Sequence, residues 1–139
     1  SPEYFDNPPK LSTSDNIYLA SQFASLSLTA NLVISANNRL SVLFSNTNDS
    51  EYSFAASSSL GNPIRVSWRY VDSKDAPLSG WDNRKNLPFD IPANGQLQMI
   101  IPLESSIINR ASAVEISLVQ EGIFWGHDVG ISPAKILLN

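Results

Sequence analysis

In Ile64–Val71, IRVSWRYV, apolar side chains stand at every second position. Successive side chains of a β-strand point to opposite faces, so a period of two is typical of a strand with one buried face. Trp68 falls in the inward phase. We interpret it as a core residue that packs two sheets together rather than as a ligand platform, because large aromatic rings dominate core burial.

The same period of two recurs along most of the chain. Clusters of Gly, Pro, Asn and Asp, which are typical of turns, separate the alternating runs, and a short helical turn fits residues 104–112. We therefore predict an all-β fold, an antiparallel immunoglobulin-like β-sandwich of about seven to nine strands. The predicted strands lie near residues 26–34, 39–45, 51–55, 64–71, 97–103, 114–118 and 134–139.

One domain is expected from the length of the chain, because 139 residues suffice for a hydrophobic core. We assign residues 16–139 to the β-sandwich domain and residues 1–15 to an N-terminal arm or linker. The polar, proline-rich start SPEYFDNPPK is unlike a signal peptide and is expected of a segment of a longer protein or of a processed chain. No apolar run is long enough to predict a membrane span.

Charge and cysteine content argue against several classes of function. The formal net charge is -4 and the nine Lys and Arg residues are scattered along the chain, so no nucleic-acid partner is expected. The absence of cysteine excludes disulfides, thiolate zinc sites and thiol nucleophiles. Asp72, Asp75, Asp82 and Asn83 lack the spacing of a calcium loop and are interpreted as solvated, so no metal and no cofactor is predicted.

Catalysis is not favoured by the sequence. His127 is the only histidine, and nothing that resembles a GxSxG nucleophile elbow precedes it. Thirteen acidic residues are an ordinary number, and no spacing singles out a pair of them. We therefore predict no catalytic residues, interpret His127 as a solvated loop residue, and note an N-glycosylation pattern at residues 48–50.

A long connection, residues 72–88, follows the strand at residues 64–71. A structureless loop of such length in a compact domain is usually functional or disordered. Trp81 stands in it beside Asp82, Asn83 and Arg84. Two readings are open: the indole stacks on a sugar whose hydroxyl groups contact the polar neighbours, or it folds over a sandwich edge as a lid.

The stretch LVQEGIFWGHD, residues 118–128, is either a crowded strand end or a site. If the strand continues regularly, Gln120 is buried and needs partners, and alternate residues line one exposed face, namely Glu121, Ile123 and Trp125. A β-bulge at Gly122 would instead turn the last two of these inward and Phe124 outward. Both registers are open from the sequence.

Glu121 also has two readings. As a structural residue it pairs with Arg84 or Arg69 and ties the long loop to the strand, because a partly buried acid normally has such a partner. As a binding residue it accepts hydrogen bonds from a sugar beside Trp81. We favour the structural reading.

Residues 62–103 and 114–130 together resemble a β-sandwich module attached to bacterial glycosyltransferases, methyltransferases and other surface-polysaccharide proteins. The pattern of that family is roughly a "hlSYrW" strand, a "G-x-R-T-x-LP" turn, a "PG" turn and an ending like "LVQEGVxWF". The chain departs from it where Asp82-Asn83-Arg84-Lys85 stands for "G-x-R-T" and where the "PG" turn is widened. The matching positions are Ile64–Tyr70, Trp81–Pro88, Pro92–Gly95 and Leu118–Trp125.

The resemblance implies a non-catalytic accessory domain in glycan assembly or export, similar in role to the immunoglobulin-like carbohydrate-binding domains of O-antigen exporters. It implies a polysaccharide or oligosaccharide and the rest of the parent protein as partners, and leaves homo-oligomerisation open. The parent protein would decide between the bacterial cytoplasmic face and the periplasm or cell surface. The alternative is a structural or protein-interaction sandwich, an oligomerisation module or spacer without glycan contact. The predicted ligand-binding residues are Trp81, Asp82, Asn83, Arg84, Glu121 and Trp125.

Overall fold

A computed structural model describes residues 18–24, 26–33, 39–46, 54 and 62–138. Short helices accompany the strands, and the turn predicted at residues 104–112 is present as the second helix. The elements in chain order are α1 Ala20–Phe23, β1 Leu26–Val33, β2 Arg39–Asn46, β3 Ile64–Val71, β4 Lys85–Asn86, β5 Gly95–Pro102, α2 Ser105–Ile108, β6 Ala113–Gln120, β7 Phe124–Trp125, a 3-10 helix Gly126–Asp128, and β8 Ala134–Leu137.

The described strands form two antiparallel sheets. One sheet has three strands in the order β1–β2–β5. The other has five, in the order β4–β3–β6–β7, with β8 also paired to β6. The prediction of an all-β fold built from antiparallel sheets is therefore confirmed.

The hydrophobic core combines the inward faces of the strands. Along β2 and β5, buried or half-buried residues alternate with more exposed ones, as expected of a sheet that has one face in the core. In the five-stranded sheet, Trp68 of β3 lies opposite Ile116 of β6, and both belong to the core cluster. Trp68 is 6% exposed, which confirms its interpretation as a core residue. Its burial stabilises the fold by roughly 5 kcal/mol relative to an exposed indole, for an area of about 200 Å².

The outer face of the five-stranded sheet is covered as well. Ser67 of β3 and Ser117 of β6 lie opposite each other and point away from the core, yet both are 0% exposed. Val119, which also lies outside the core cluster, is 3% exposed. The alternation predicted only one buried face for these strands; the second is buried because residues from the 72–88 loop and from the segment after β6 lie over it.

The 72–88 loop has structure of its own. The Asp72 carboxylate accepts hydrogen bonds from the backbone N–H groups of Lys74 and Ala76 at 2.8 and 2.9 Å, which closes a tight turn. A β-bridge joins Val71 to Pro77, and β4 lies within the loop, paired to β3. The expectation of a structureless connection is therefore wrong, and the chain on either side of Trp81 is fixed to β3.

Some predictions fall on other parts of the chain. The arm at residues 1–15, the glycosylation pattern at residues 48–50 and most of the strand at residues 51–55 lie outside the described residues. Phe54 of that strand is described; it is 0% exposed and forms a β-bridge with Ile91. Among the described residues, no helix combines the length and the apolar character that crossing a membrane requires.

Candidate functional site

The segment after β6 is a tight hairpin rather than a continued strand. The backbone N–H of Ile123 donates to the carbonyl of Gln120 at 2.9 Å, and Gly122 has a φ of 78°, a left-handed conformation that favours glycine. The chain then runs back along β6, which pairs Gln120 with Phe124. Both registers considered from the sequence are wrong, because each carried one strand straight through to residue 125.

The hairpin decides which way its aromatic residues face. Residues directly opposite in an antiparallel pair point to the same face, so Phe124 follows Gln120 and Trp125 follows Val119. Phe124 accordingly packs against the core. Trp125 lies on the outer face and is partly buried there.

Gln120 is buried, as both registers required, and its side-chain amide is satisfied at both ends. Its Nε2 donates to the carbonyl of Asn62 at 3.0 Å, and its Oε1 accepts from the backbone N–H of Tyr18 at 3.3 Å. The side chain is 0% exposed, so these bonds are made away from water. Gln120 therefore connects the hairpin to two distant segments of the chain.

Three aromatic rings meet on the outer face. The ring centroids of Trp81 and Trp125 are 5.9 Å apart, and that of His127 lies 5.1 Å from the first and 5.3 Å from the second. The rings of Trp81 and His127 are stacked at an interplanar angle of 23°. All three residues are partly buried.

His127 is not the solvated loop residue that was expected. Its Nδ1 lies 2.7 Å from the buried hydroxyl of Ser117, directly over β6. The 3-10 helix that follows β7 carries the imidazole back over the sheet, and the stacking on Trp81 holds its other side. His127 thus belongs to the packing of the outer face.

Two arginines lie against the indole rings. The guanidinium carbon of Arg69 is 4.6 Å from the ring centroid of Trp81, and that of Arg84 is 4.8 Å from the centroid of Trp125. A guanidinium over an aromatic ring is attracted by the negative π face. We call Trp81, Trp125, His127, Arg69 and Arg84 the outer-face cluster.

The arginines are also ion-paired. Arg84 Nε donates to Glu121 Oε2 at 2.7 Å, and Arg65 Nη1 lies 3.6 Å from the same oxygen. Arg69 Nε donates to Glu115 Oε1 at 2.8 Å. Glu121 therefore has the partner that its structural reading required and joins the hairpin to the 72–88 loop.

Arg84 makes further contacts within the loop and to the sheet. Its Nη1 donates to the hydroxyl of Ser67 at 3.2 Å and to the main-chain carbonyls of Trp81 and Asn83. Nδ2 of Asn83 donates to the carbonyl of Trp68 at 3.2 Å. These bonds fold Trp81 back onto the sheet, as the lid reading describes, although its side chain keeps some exposure.

Of the six predicted ligand-binding residues, five lie in or against the outer-face cluster. They are Trp81, Asn83, Arg84, Glu121 and Trp125. Asp82 is exposed, and no described side chain bonds to it. Beside the hairpin, a small open pocket of about 200 Å³ is lined by Arg84 and by residues 119–125.

The acidic loop residues form no calcium site within the described part of the chain. Asp72 bonds to its own turn, and the carboxylate of Asp75 accepts a hydrogen bond from Lys135. No group of three or more acidic, His or Cys side chains suitable for a metal ion occurs among the described residues.

Sequence reasoning missed three members of this face: Arg69 and His127 as part of the site, and Ser117 as the partner of the imidazole. The signal for Arg69 was present, because it occupies an outward position of β3 opposite Glu115. The place of His127 depends on the hairpin, which the alternation did not reveal.

The chain has no match among protein-family models, curated proteins or solved structures. The interpretation of the outer face therefore rests on its own residues.

Proposed function

We propose that the chain is a non-catalytic carbohydrate-binding domain of immunoglobulin-like type, an accessory to a bacterial protein of surface-polysaccharide or O-antigen assembly or export. The observation that carries the proposal is the outer-face cluster itself. It sets partly exposed indole rings and ion-paired arginines together on one face.

The chemistry of a sugar suits such a face. A pyranose ring has apolar C–H faces that pack on an indole, and hydroxyl groups around its edge that both donate and accept hydrogen bonds. In the proposed site Trp125 supplies the stacking surface beside the hairpin pocket, and Trp81 extends it. Arg84, Asn83 and Glu121 contact hydroxyl groups, and Asp82 reaches the ligand from the exposed part of the loop.

Titration with bacterial polysaccharides tests the proposal. We expect dissociation constants in the range of about 1 µM to 1 mM, and Trp125→Ala to weaken binding about tenfold, a loss of roughly 1.4 kcal/mol. Phe89→Ala is the matched control, because Phe89 is an aromatic residue, 71% exposed, outside the cluster. Lack of binding to any polysaccharide at millimolar repeat units, or equal effects of the two variants, would count against the proposal.

A second candidate function is a structural or protein-interaction module. The observation in its favour is that the groups of the cluster already have partners within the domain: the rings contact one another, and the arginines are paired to glutamates. In this reading Trp81 and Trp125 only fasten the 72–88 loop to the sheet. Removal of the domain would then disturb oligomerisation of the parent protein and leave its glycan binding unchanged.

A further inference from the structure

Two arginine–glutamate pairs of the outer face each use one nitrogen and one oxygen. Arg84 and Glu121 meet through Nε and Oε2, and Arg69 and Glu115 through Nε and Oε1. Among the described residues, neither Nη2 of Arg84 nor Oε1 of Glu121 has a hydrogen-bond partner. The same is true of both Nη atoms of Arg69 and of Oε2 of Glu115.

These groups can be reached from solvent. The side chains of the two pairs are between 20% and 28% exposed. Each pair therefore offers a ligand guanidinium donors and a carboxylate acceptor side by side.

The charge of the face is nearly balanced. Arg65, Arg69, Arg84 and Lys135, which lies opposite Glu115, supply positive charge, and Glu115, Glu121 and Asp75, to which they are paired, supply negative charge. Two exposed carboxylates flank the cluster in sequence, Asp82 beside Trp81 and Asp128 beside His127. Each of these cations therefore already has an acidic partner, and the whole chain carries a net charge of -4.

We infer that the glycan bound at this face is uncharged and is recognised through hydroxyl groups that bridge the Arg84–Glu121 and Arg69–Glu115 pairs; this inference rests on the proposed function. A hydroxyl group donates and accepts, so one hydroxyl can contact the guanidinium and the carboxylate of a pair together. An ionised uronate or phosphate only accepts. It would compete with the glutamate for the guanidinium and would bring two negative charges together.

A glycan panel with neutral and acidic members tests the inference. It would contain mannan, galactan and dextran oligosaccharides, oligogalacturonates with and without methyl-esterified carboxyl groups, and a phosphorylated mannan. We expect the strongest ligand to be neutral and its affinity to change less than about twofold between 50 and 500 mM NaCl, because a neutral ligand has no ionic attraction to be screened. Within the galacturonate pair, esterification should not weaken binding.

Two conservative variants sharpen the test. Glu121→Gln and Glu115→Gln remove negative charge and keep the shape of the side chain, so they should weaken binding of a neutral glycan about three- to tenfold by breaking the charge-assisted bonds. They should strengthen binding of an acidic glycan. Glu104→Gln is the matched control, because the Glu104 side chain is exposed and makes no capping hydrogen bond.

The outcomes separate the two proposals. Strong binding confined to acidic glycans with steep salt dependence, or binding of a neutral glycan that Glu121→Gln and Glu115→Gln leave unchanged, overturns the inference and leaves the proposed function standing. A panel in which nothing binds, while the protein remains folded by its near-ultraviolet circular dichroism, overturns the proposed function and the inference with it.

Discussion

The ion pair between Arg84 and Glu121 should be a measurable link between the 72–88 loop and the hairpin. The two side chains are 28% and 24% exposed, which places the pair between fully exposed ion pairs and buried ones. Exposed pairs contribute about 0.2–1 kcal/mol and hydrogen bonds to charged groups about 1.5–3 kcal/mol, so we expect a coupling energy of about 1 kcal/mol. Arg84→Ala alone should lower the free energy of unfolding by more than this coupling energy, about 2–3 kcal/mol, because it also removes the hydrogen bonds to Ser67 and to the loop carbonyls.

The assay is a double-mutant cycle of Arg84→Ala, Glu121→Ala and the double variant, followed by urea unfolding. The exposed pair of Lys135 and Asp75, with side chains 40% and 67% exposed, is the matched control and should give a clearly smaller coupling. A coupling no larger than the roughly 0.3–0.5 kcal/mol found between independent sites would refute the account of Glu121 as a structural tie.

Three further predictions concern the hairpin and the core. Gln120→Ala should lower the free energy of unfolding by about 2–4 kcal/mol, measured by urea unfolding, since it opens a cavity and leaves a buried N–H and a carbonyl without partners; a loss below 1 kcal/mol would contradict the buried amide contacts. Gly122→Ala should lower the free energy of unfolding by about 1–2 kcal/mol, because residue 122 has a φ of 78°. Gly80→Ala is the control and should lower it less, because the added methyl group meets only the Asp82 side chain. Equal shifts in melting temperature for the two variants would contradict the hairpin geometry. Burial raises the pKa of the Tyr70 hydroxyl above its usual value of 10.0, although the hydrogen bond from the Glu104 backbone opposes the shift. The stability that the buried, neutral Tyr70 hydroxyl contributes is therefore complete below pH 10.0, where the unfolded tyrosine is also neutral, and is lost as the pH rises through the folded pKa. Tyr70→Phe should remove this alkaline loss of stability in pH-dependent unfolding, and an unchanged pH profile would contradict the prediction.

The alternation of side chains predicted much of the sheet structure. Strands at β1, β2, β3, β5, β6 and β8 fall where a period of two was visible, and Trp68 lies in the core as its phase required. That signal is reliable because burial of one face imposes it on the sequence directly. The alternation did not predict that the outer face of the five-stranded sheet is buried too, because Ser67 and Ser117 look like solvent-facing residues until the loop above them is placed.

The candidate site was harder to predict, because it depends on pairing across long separations in sequence. Glu121 was expected to pair with Arg84 or Arg69, and the structure selects Arg84, with Arg65 nearby. The sequence could not decide the direction of Trp125, because the choice lay in the backbone at Gly122. The left-handed Gly122 reverses the chain, and the hairpin that results directs the Trp125 indole outward. Both registers considered from the sequence assumed a continuous strand and therefore did not include this turn.

If the outer-face cluster is a sugar-binding site, the indole N–H signals of Trp81 and Trp125 should report the bound glycan. In a ¹H–¹⁵N NMR titration with the best-binding glycan, we expect saturable shifts for both of these signals. The indole of Trp68, buried in the core at 6% exposure, should stay unchanged and serves as the internal reference. Saturable binding that leaves the Trp81 and Trp125 signals in place, and shifts signals of another surface instead, would contradict the claim.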